Sequence, residues 1–401
     1  MFKKTKRAIS IALALVMSVA LSATVLAYTP TPGTPTNPRP AGITKELRTP
    51  VGTAIPANMA FNFTVTPYLL NGFAPGAPEL GTLTIPALGN YPAAGSNHVR
   101  IPVPQAVTST AGGIDTRVFD SGNLLAGITW PTTGVFEWNI VELNNVLPHT
   151  PVQNNPGLWE VLNFSQAEYT LRVHIGEYDG NRYVRFAYAV RRVNDAGTAE
   201  VPPVKVDPTP GADLRFINTY ARDWRDNVDP EEGPLTIRKN VTGNMGSLTR
   251  EFEFSATLTL DPMFSIPGPF VANRVDAAGN TIGTPISFTN GTSTNFLLRH
   301  NERLVFESAP VGTQFVVNET QVPLYLTTIY LNTNVPFEGL TVTSNIREAG
   351  DLVVYRNHND TPPPTGIDMS NLPFYGMILL VLGGIVTFII VKVKKRKSYN
   401  Y

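Results

Sequence analysis

The chain has no cysteine and very little lysine. Its 401 residues contain no Cys, which excludes disulfide bonds and a cysteine nucleophile. Residues 28–366 contain 19 arginines but only three lysines, Lys45, Lys205 and Lys239. Arginine keeps its proton in proteins, whereas a buried lysine can lose its proton and attack a carbonyl carbon. The scarcity is therefore either compositional drift or a restriction on where amine chemistry occurs, and the positions of the three lysines decide between these interpretations.

Signatures of enzymes are also absent from the sequence. The five histidines, at positions 98, 149, 174, 300 and 358, show no metal-ligand spacing. Neither a Gly-x-Ser-x-Gly motif nor a phosphate-binding loop is present. We therefore expect no enzymatic turnover, no cofactor and no metal.

Positive charge is scarce in the body of the chain. Residues 28–366 carry 22 basic and 30 acidic side chains, a net charge of 22 − 30 = −8. No stretch interleaves basic with aromatic residues in the way that nucleic-acid-binding surfaces do. We therefore do not expect nucleic acid as a partner.

The first 27 residues have the pattern of a secretory signal peptide. A start with four basic residues precedes an apolar stretch at residues 9–21, and small residues end at Ala27. This order is typical of a segment that is removed on export. We therefore exclude residues 1–27 from the fold and expect the body of the protein outside the cell.

The other end contains a membrane span and a sorting motif. Residues 374–391 form an uncharged apolar span of 18 residues, followed directly by a basic tail, which places the tail on the cytoplasmic side. The order of motif, span and basic tail resembles the signal read by sortases of Gram-positive bacteria, except that proline replaces the family's leucine in the first position. The resemblance implies cleavage after the threonine, transfer of its acyl group to an amine, and attachment to peptidoglycan. The alternative is a single-pass membrane protein with a proline-rich stalk. The motif consists of Pro362, Pro363, Pro364, Thr365 and Gly366.

The region between these ends has the pattern of an all-β protein. Short alternating runs are separated by Gly, Pro and Asn, and no long helical period competes with them. We predict a Pro/Thr-rich tether at residues 28–42, a β-sandwich at 43–220, a linker at 221–233, a second β-sandwich at 234–360 and the sorting signal at 361–401. The expected fold is two tandem immunoglobulin-like sandwiches.

Each predicted sandwich contains a lysine, a glutamate and an asparagine in the same order. Side chains alternate across a strand, so residues two positions apart share a face. The residue two positions before each of these polar residues is apolar or aromatic, which points all six toward the core. Glu137 is close in sequence to the first glutamate, but the alternation points it outward. The two sets are Lys45, Glu142 and Asn218, and Lys239, Glu319 and Asn357.

Burial gives these residue types a specific chemistry. A buried charge is unfavourable unless it is paired, so burial favours a neutral amine and a protonated carboxyl group. A neutral lysine amine beside an asparagine can attack the amide carbon while the carboxyl group transfers protons to the leaving ammonia. The product would be an amide bond between two side chains.

The motifs around these residues resemble a known family. The segments ITKEL at 43–47, FEWNIVE at 136–142, SQAEYTL at 165–171 and FINTY at 216–220 look like the isopeptide-linkage domain of streptococcal T-antigen-type major pilins. Residues 234–360 look like a Cna protein B-type domain. The resemblance implies a structural pilus shaft subunit that sortase joins to other pilin subunits. The alternatives are a minor pilin, or a singly anchored adhesin with a host or matrix ligand.

The resemblance also implies which residues are cross-linked. Lys45 would join Asn218 with assistance from Glu142. Lys239 and Asn357 would form the second bond, assisted by Glu319.

Lys205 belongs to neither set. It lies in a proline-rich segment just before the closing strand of the first predicted sandwich, where prolines favour an edge or a loop. Among residues 28–366 it is the only lysine outside the two predicted cores, so we expect it to accept Thr365 of another subunit. The pilin motif of the family has proline directly before the lysine, whereas this chain has Val204 there. The alternative is an ordinary solvated lysine.

Overall fold

The structure, a computed structural model, describes residues 28–147, 160–224, 233–264, 269–332, 335–360 and 372–397. Strands and one long helix, α1, are its main regular elements, with a short 3₁₀ turn at Pro78–Leu80. The elements are β1 (Thr44–Pro50), β2 (Ala60–Leu70), β3 (His98–Pro102), β4 (Ser109–Ala111), β5 (Ile114–Asp120), β6 (Gly134–Leu147), β7 (Glu160–Asn163), β8 (Glu168–Tyr178), β9 (Asn181–Val193), β10 (Ala199–Val206), β11 (Arg215–Arg222), β12 (Leu235–Thr242), β13 (Phe252–Thr259), β14 (Phe270–Val275), β15 (Ile286–Phe288), β16 (Thr294–Leu298), β17 (Arg303–Phe306), β18 (Gln314–Glu319), β19 (Leu326–Leu331), β20 (Phe337–Glu338), β21 (Thr341–Asn345), β22 (Asp351–His358) and α1 (Leu372–Lys397).

Strands β1 to β11 form a sandwich of two sheets. One sheet has the order β4-β5-β1-β11-β7, and the other has the order β10-β9-β8-β6-β2-β3. Phe63 on β2 and Tyr169 on β8 both pack against Phe216 on β11, with ring centroids 4.9 and 5.1 Å apart. The two sheets therefore bury one shared apolar layer between them.

Alternating side chains explain how the central strands of this sandwich form. On β6, Phe136, Trp138 and Ile140 are fully buried, as period-2 patterning requires.

Strands β8 and β9 are joined by Asp179 and Gly180, which both have positive φ, 49° and 74°. This is the two-residue hairpin turn that Asp-Gly favours.

Strands β12 to β22 form a second sandwich. Its sheets have the orders β15-β14-β17-β12-β22-β19-β20 and β16-β13-β18-β21. Phe254 on β13 packs edge-on against Tyr355 on β22, with centroids 5.2 Å apart, so this core is also enclosed between two sheets. The predicted all-β class is therefore confirmed.

The segment before β1 lies against the first sandwich. Gly33 donates its N–H to the carbonyl of Arg185 at 2.6 Å, and Arg39 donates to the carbonyl of Val184 at 3.1 Å. Ala41 is fully buried. The residues predicted to form an extended tether are thus held along β9.

The two sandwiches touch at one end of each. An isolated bridge pairs Asp223 with Pro310. The guanidinium of Arg222, at the end of β11, donates to both carboxylate oxygens of Glu348 in the β21–β22 loop. Glu348 Oε1 also accepts the backbone N–H of Ala54 at 2.8 Å. One carboxylate of the second sandwich therefore binds two segments of the first.

Helix α1 is exposed along its apolar side chains. The stretch Phe374–Lys394 has a mean hydropathy of 2.6 and is not packed against the rest of the protein. By length and composition it can cross a membrane. The predicted C-terminal apolar helix is therefore present.

Candidate functional site

The first and last strands of each sandwich lie side by side and run parallel. β1 pairs with β11, with Lys45 opposite Phe216 and Leu47 opposite Asn218. The lysine and the asparagine are therefore on adjacent strands, two positions apart. Both side chains point into the sandwich, and both residues are fully buried.

The second sandwich repeats this register. β12 pairs in parallel with β22, with Lys239 opposite Tyr355 and Val241 opposite Asn357. The lysine and the asparagine again lie two positions apart on neighbouring strands. Both are buried. The two sandwiches thus present the same pair of groups at the same offset.

Glu142 reaches the first pair from the opposite sheet. It lies on β6, and its Oε2 accepts a hydrogen bond from Lys45 Nζ at 2.9 Å. Its Oε1 accepts from Asn218 Nδ2 at 2.8 Å. The side chains of Lys45 and Glu142 have no exposed surface. One carboxyl group therefore links the amine to the amide nitrogen inside the core.

Glu319 has the same position in the second sandwich. It lies on β18, in the sheet facing β12 and β22. Its Oε1 accepts from Lys239 Nζ at 2.5 Å and from Asn357 Nδ2 at 2.9 Å. Asn357 Oδ1 is buried without a hydrogen-bond partner among the described residues. That amide oxygen is available to a proton donor.

Burial shifts both lysines and both glutamates toward their neutral forms. Burial lowers the pKa of Lys45 to about 8, against the attraction of the neighbouring Glu142. It lowers the pKa of Lys239 to about 8 in the same way. Burial also raises the pKa of Glu142 and of Glu319, against the lysine beside each. A proton can therefore pass from Nζ to the carboxylate along the existing hydrogen bond, and the net charge of the pair does not change.

A pair of phenylalanines surrounds each lysine amine. Lys45 Nζ lies 4.6 Å from the ring centroid of Phe61 and 6.0 Å from that of Phe63. Lys239 Nζ lies 4.1 Å from Phe252 and 5.6 Å from Phe254. These rings exclude water from the amine, which is the source of the pKa shift.

A repeated Phe-x-Phe sequence is a further signal of these two sites in the chain. It occurs on the strand after each lysine, at residues 61–63 and 252–254. It could have been matched between the two halves in the same way as the lysine, glutamate and asparagine.

Glu137 lies on the other face of β6. It accepts a hydrogen bond from Arg172 Nε on β8 at 3.2 Å. The alternation of side chains along the strand separates it from the core that contains Glu142. Geometry therefore selects Glu142 as the partner of Lys45 and Asn218.

Sequence reasoning did not find the groups that orient Asn218. The backbone N–H of Ser165 donates to Asn218 Oδ1 at 2.7 Å. Asp195 accepts from Ser165 Oγ at 2.6 Å and from the N–H of Ile217 at 2.8 Å. These groups come from a loop before β8 and a turn after β9, and nothing in their local sequence indicates that role.

Lys205 lies on a strand that contains no member of either buried set. It is on β10, the edge strand of the six-stranded sheet, and is half-buried. Its Nζ lies 4.0 Å above the ring centroid of Tyr188. The edge position expected from the prolines is the one observed.

The remaining predicted features lie outside the described residues. These are the signal peptide at residues 1–27 and the whole sorting motif at residues 362–366.

Comparisons with known proteins give three findings on sequence. A family model described as a domain of unknown function, DUF7601, matches residues 233–353. The pilus tip adhesin Cpa of Streptococcus pyogenes is 29% identical over 140 residues, covering 35% of this chain and 19% of the adhesin. A pilin of Streptococcus pyogenes serotype M1 is 23% identical over 166 residues, covering 39% of this chain and 47% of the pilin.

The crystal structure of the major pilin from Streptococcus pyogenes aligns over 81% of this chain and 100% of that chain, with 16% identity and a TM-score of 0.32.

The predicted similarity to streptococcal pilins is confirmed. The chain spans less than half the length of the curated relatives that it matches. The model that matches the second sandwich carries no function, so its likeness to a Cna B-type domain stays a prediction.

Proposed function

We propose that this chain is the structural shaft subunit of a sortase-assembled pilus on the surface of a Gram-positive bacterium. The observation that carries the proposal is the duplicated buried set of lysine, glutamate and asparagine between the first and last strands of each sandwich. The sequence similarity to a streptococcal pilin and to a pilus tip adhesin supports the same function. The exposed apolar helix α1 fits a membrane anchor.

Within each sandwich the three groups form an intramolecular amide bond once per molecule. Glu142 takes a proton from Lys45 Nζ, and the neutral amine attacks Cγ of Asn218. Glu142 then delivers a proton to Nδ2, to which Oε1 is already hydrogen-bonded at 2.8 Å. The Cγ–Nδ2 bond breaks and ammonia leaves, and the Glu142 carboxylate takes the second proton, which Nζ loses as it becomes the amide N–H. Lys239, Glu319 and Asn357 perform the same steps in the second sandwich.

These bonds give the subunit resistance to tension. Each bond joins the first strand of a sandwich to the last, so a force applied at the sandwich ends passes through covalent bonds instead of separating β1 from β11 or β12 from β22. This function suits a chain that has no cysteine and therefore no disulfide bonds.

Polymerisation uses the remaining lysine. Sortase breaks the bond between Thr365 and Gly366, and Lys205 Nζ of a second copy forms a new amide bond with the Thr365 carbonyl carbon. The amine of Gly366 leaves with the proton that Lys205 loses, so one amide bond replaces another. Attachment of the last subunit to peptidoglycan follows the same exchange with a cell-wall amine.

Replacing Lys205 tests the proposal. Cells that produce the full chain and its sortase should show a ladder of covalent high-mass species on a denaturing gel. In a Lys205→Arg variant the ladder should disappear, because arginine keeps the charge and lacks the nucleophile. Glu177→Gln, an exposed change in the same sheet, is the matched control and should keep the ladder.

Two outcomes of this experiment would contradict the proposal. An undiminished ladder in the Lys205→Arg variant would show that another amine is used. Absence of any ladder in the unaltered chain, with a cell-wall-linked monomer instead, would identify a singly anchored surface protein.

A further inference from the structure

The outward face of the six-stranded sheet holds the Lys205 amine on an aromatic ring. Lys205 pairs with Val190 across the β10–β9 ladder, and Tyr188 lies two positions from Val190 on the same face. The Nζ atom lies 4.0 Å above the centroid of the Tyr188 ring, well within the distance of a cation–π contact. The amine therefore has a defined position although its side chain is long and flexible.

The ring of Tyr188 is itself held in place. His174 on β8 packs against it with ring centroids 5.7 Å apart and planes 31° from parallel. Phe186 in turn packs edge-on against His174 at 6.1 Å. All three residues are half-buried. Tyr188 is thus part of a packed aromatic layer, and its ring presents a fixed surface to the lysine.

No carboxylate pairs with Lys205 among the described residues, in contrast to Lys45 and Lys239. Three carboxylates on strands of the same sheet bind arginines instead. These pairs are Arg172–Glu137 at 3.2 Å, Arg191–Glu200 at 2.8 Å and Arg192–Glu168 at 3.4 Å.

The difference between a ring and a carboxylate matters for reactivity. A carboxylate would occupy N–H groups of the amine and stabilise its charged form strongly. A ring face is a weaker partner, and it leaves the opposite side of the nitrogen open. The arrangement positions the amine and keeps it accessible to an electrophile.

We propose that Tyr188 is a positioning residue that holds the Lys205 amine for attack on the Thr365 acyl group of a second copy of this chain. The proposal rests on the polymerisation proposed above. Tyr188 takes no part in bond making: Lys205 Nζ forms the amide bond, and the leaving amine of Gly366 takes the proton. The ring reduces the number of positions that the amine samples, which raises the fraction of encounters in which it is correctly placed.

Variants of Tyr188 in the full chain test this positioning. Tyr188→Leu should lower the initial rate of ladder formation about two- to fivefold, the range expected from an exposed cation–π contact. Tyr188→Phe keeps the ring and should restore the rate. Tyr178→Leu removes an exposed tyrosine at the end of β8 and is the matched control. The number of ammonia losses in the intact mass of the exported body should be unchanged in each variant, and the melting temperature of Tyr188→Leu should fall only slightly because the ring is half-buried.

A second series separates positioning from packing. Phenylalanines with increasing numbers of ring fluorines at position 188 keep the shape of the ring and progressively remove the negative charge of its face. The rate of ladder formation should fall step by step across the series.

Acetylation of Lys205 by a small soluble ester is a readout that needs no sortase. Peptide mass spectrometry measures its rate. It should not fall across the series, because a small ester can approach the amine from any side and a weaker cation–π contact leaves more of the amine unprotonated. A fall in ladder formation alone supports positioning, and a parallel fall in acetylation would overturn it.

Each remaining outcome has a defined meaning. A flat fluorination series, or an unchanged rate in Tyr188→Leu while Lys205→Arg abolishes the ladder, would overturn the positioning role and leave polymerisation through Lys205 intact. A ladder that persists in Lys205→Arg would overturn polymerisation through Lys205 itself.

Discussion

At the scale of single residues, the environment of each lysine determines its chemistry. Lys45 and Lys239 are fully buried beside carboxyl groups, where burial lowers the pKa of each amine to about 8. Lys205 is half-buried on a tyrosine ring at a sheet edge. The first two amines can reach only an asparagine of their own chain, whereas the third can reach another molecule. Scarcity of lysine therefore limits the number of competing amines.

The glutamate of each set should be required for its bond. In a Glu142→Gln variant the proton carrier is lost while the shape of the side chain is kept. We expect the intact mass of the exported body to show one loss of ammonia, about 17 Da, instead of two. The remaining loss should map to the peptide pair that contains Lys239 and Asn357.

Glu137 provides the control for that variant. It lies five residues from Glu142 on the same strand and faces Arg172 on the outward side of the sheet. Glu137→Gln should therefore retain both losses of ammonia. A single loss in Glu137→Gln, or two losses in Glu142→Gln, would show that the assignment of the assisting glutamate is wrong.

At the scale of secondary-structure elements, the parallel pairing of the first and last strands brings the reacting groups together. The registers place Leu47 opposite Asn218 and Val241 opposite Asn357. The chain therefore enters and leaves each sandwich at opposite ends of the strand pair, whereas antiparallel neighbours would put both points at the same end. Adjacency of the two strands makes a cross-link between distant parts of the sequence short, and their parallel direction places that link between the two points where force is applied.

Removing one cross-link should destabilise one sandwich. The first bond would close a loop of 218 − 45 = 173 residues, for which chain entropy predicts a contribution of about 5 kcal/mol if the disulfide estimate applies. In Asn218→Ala we expect the first sandwich to unfold at a much lower urea concentration, while the second unfolds as before. Asn163→Ala is the control. It removes an exposed asparagine on β7 whose side chain contacts Thr219, the residue after Asn218 on β11. Coincident unfolding of Asn218→Ala and the unaltered chain would contradict a stabilising bond.

Alternation along strands was enough to predict the buried face, but not the groups from loops. Lys45, Glu142 and Asn218 each share a strand face with apolar residues, and their burial follows from that pattern. Asp195 and Ser165 belong to turns, where the sequence has no period and tertiary packing decides the contacts. The docking of residues 28–42 along β9 could not be predicted either, because proline-rich composition indicates an extended backbone and not what it packs against.

At the scale of the whole molecule, the contacts between the two sandwiches determine how stiff the subunit is. One side chain at the joint between them, Glu348, binds two segments of the first sandwich, the guanidinium of Arg222 and the backbone N–H of Ala54. Gly312 of the second sandwich lies close to Val51 of the first. Its φ is 81°, and a Cβ at this position would lie 2.7 Å from the carbonyl oxygen of Val51. This close approach requires glycine.

Removing the Glu348 carboxylate should loosen the joint without affecting either core. The ion pair is partly exposed, with side-chain exposures of 15% for Arg222 and 31% for Glu348, so its loss should contribute about 1 kcal/mol toward opening. In Glu348→Ala the amides of Ala54 and Val311, which bond across the joint, should exchange with deuterium several-fold faster. Exchange in β6 and β18 should not change. Glu338→Ala, an exposed carboxylate on β20, is the control. Equal exchange of the Ala54 and Val311 amides in the unaltered chain and in both variants would contradict a role for the Glu348 carboxylate. The Asp223–Pro310 bridge and the Gly312 contact would then hold the joint by themselves. Force would pass through packed backbone and not through the Arg222–Glu348 ion pair.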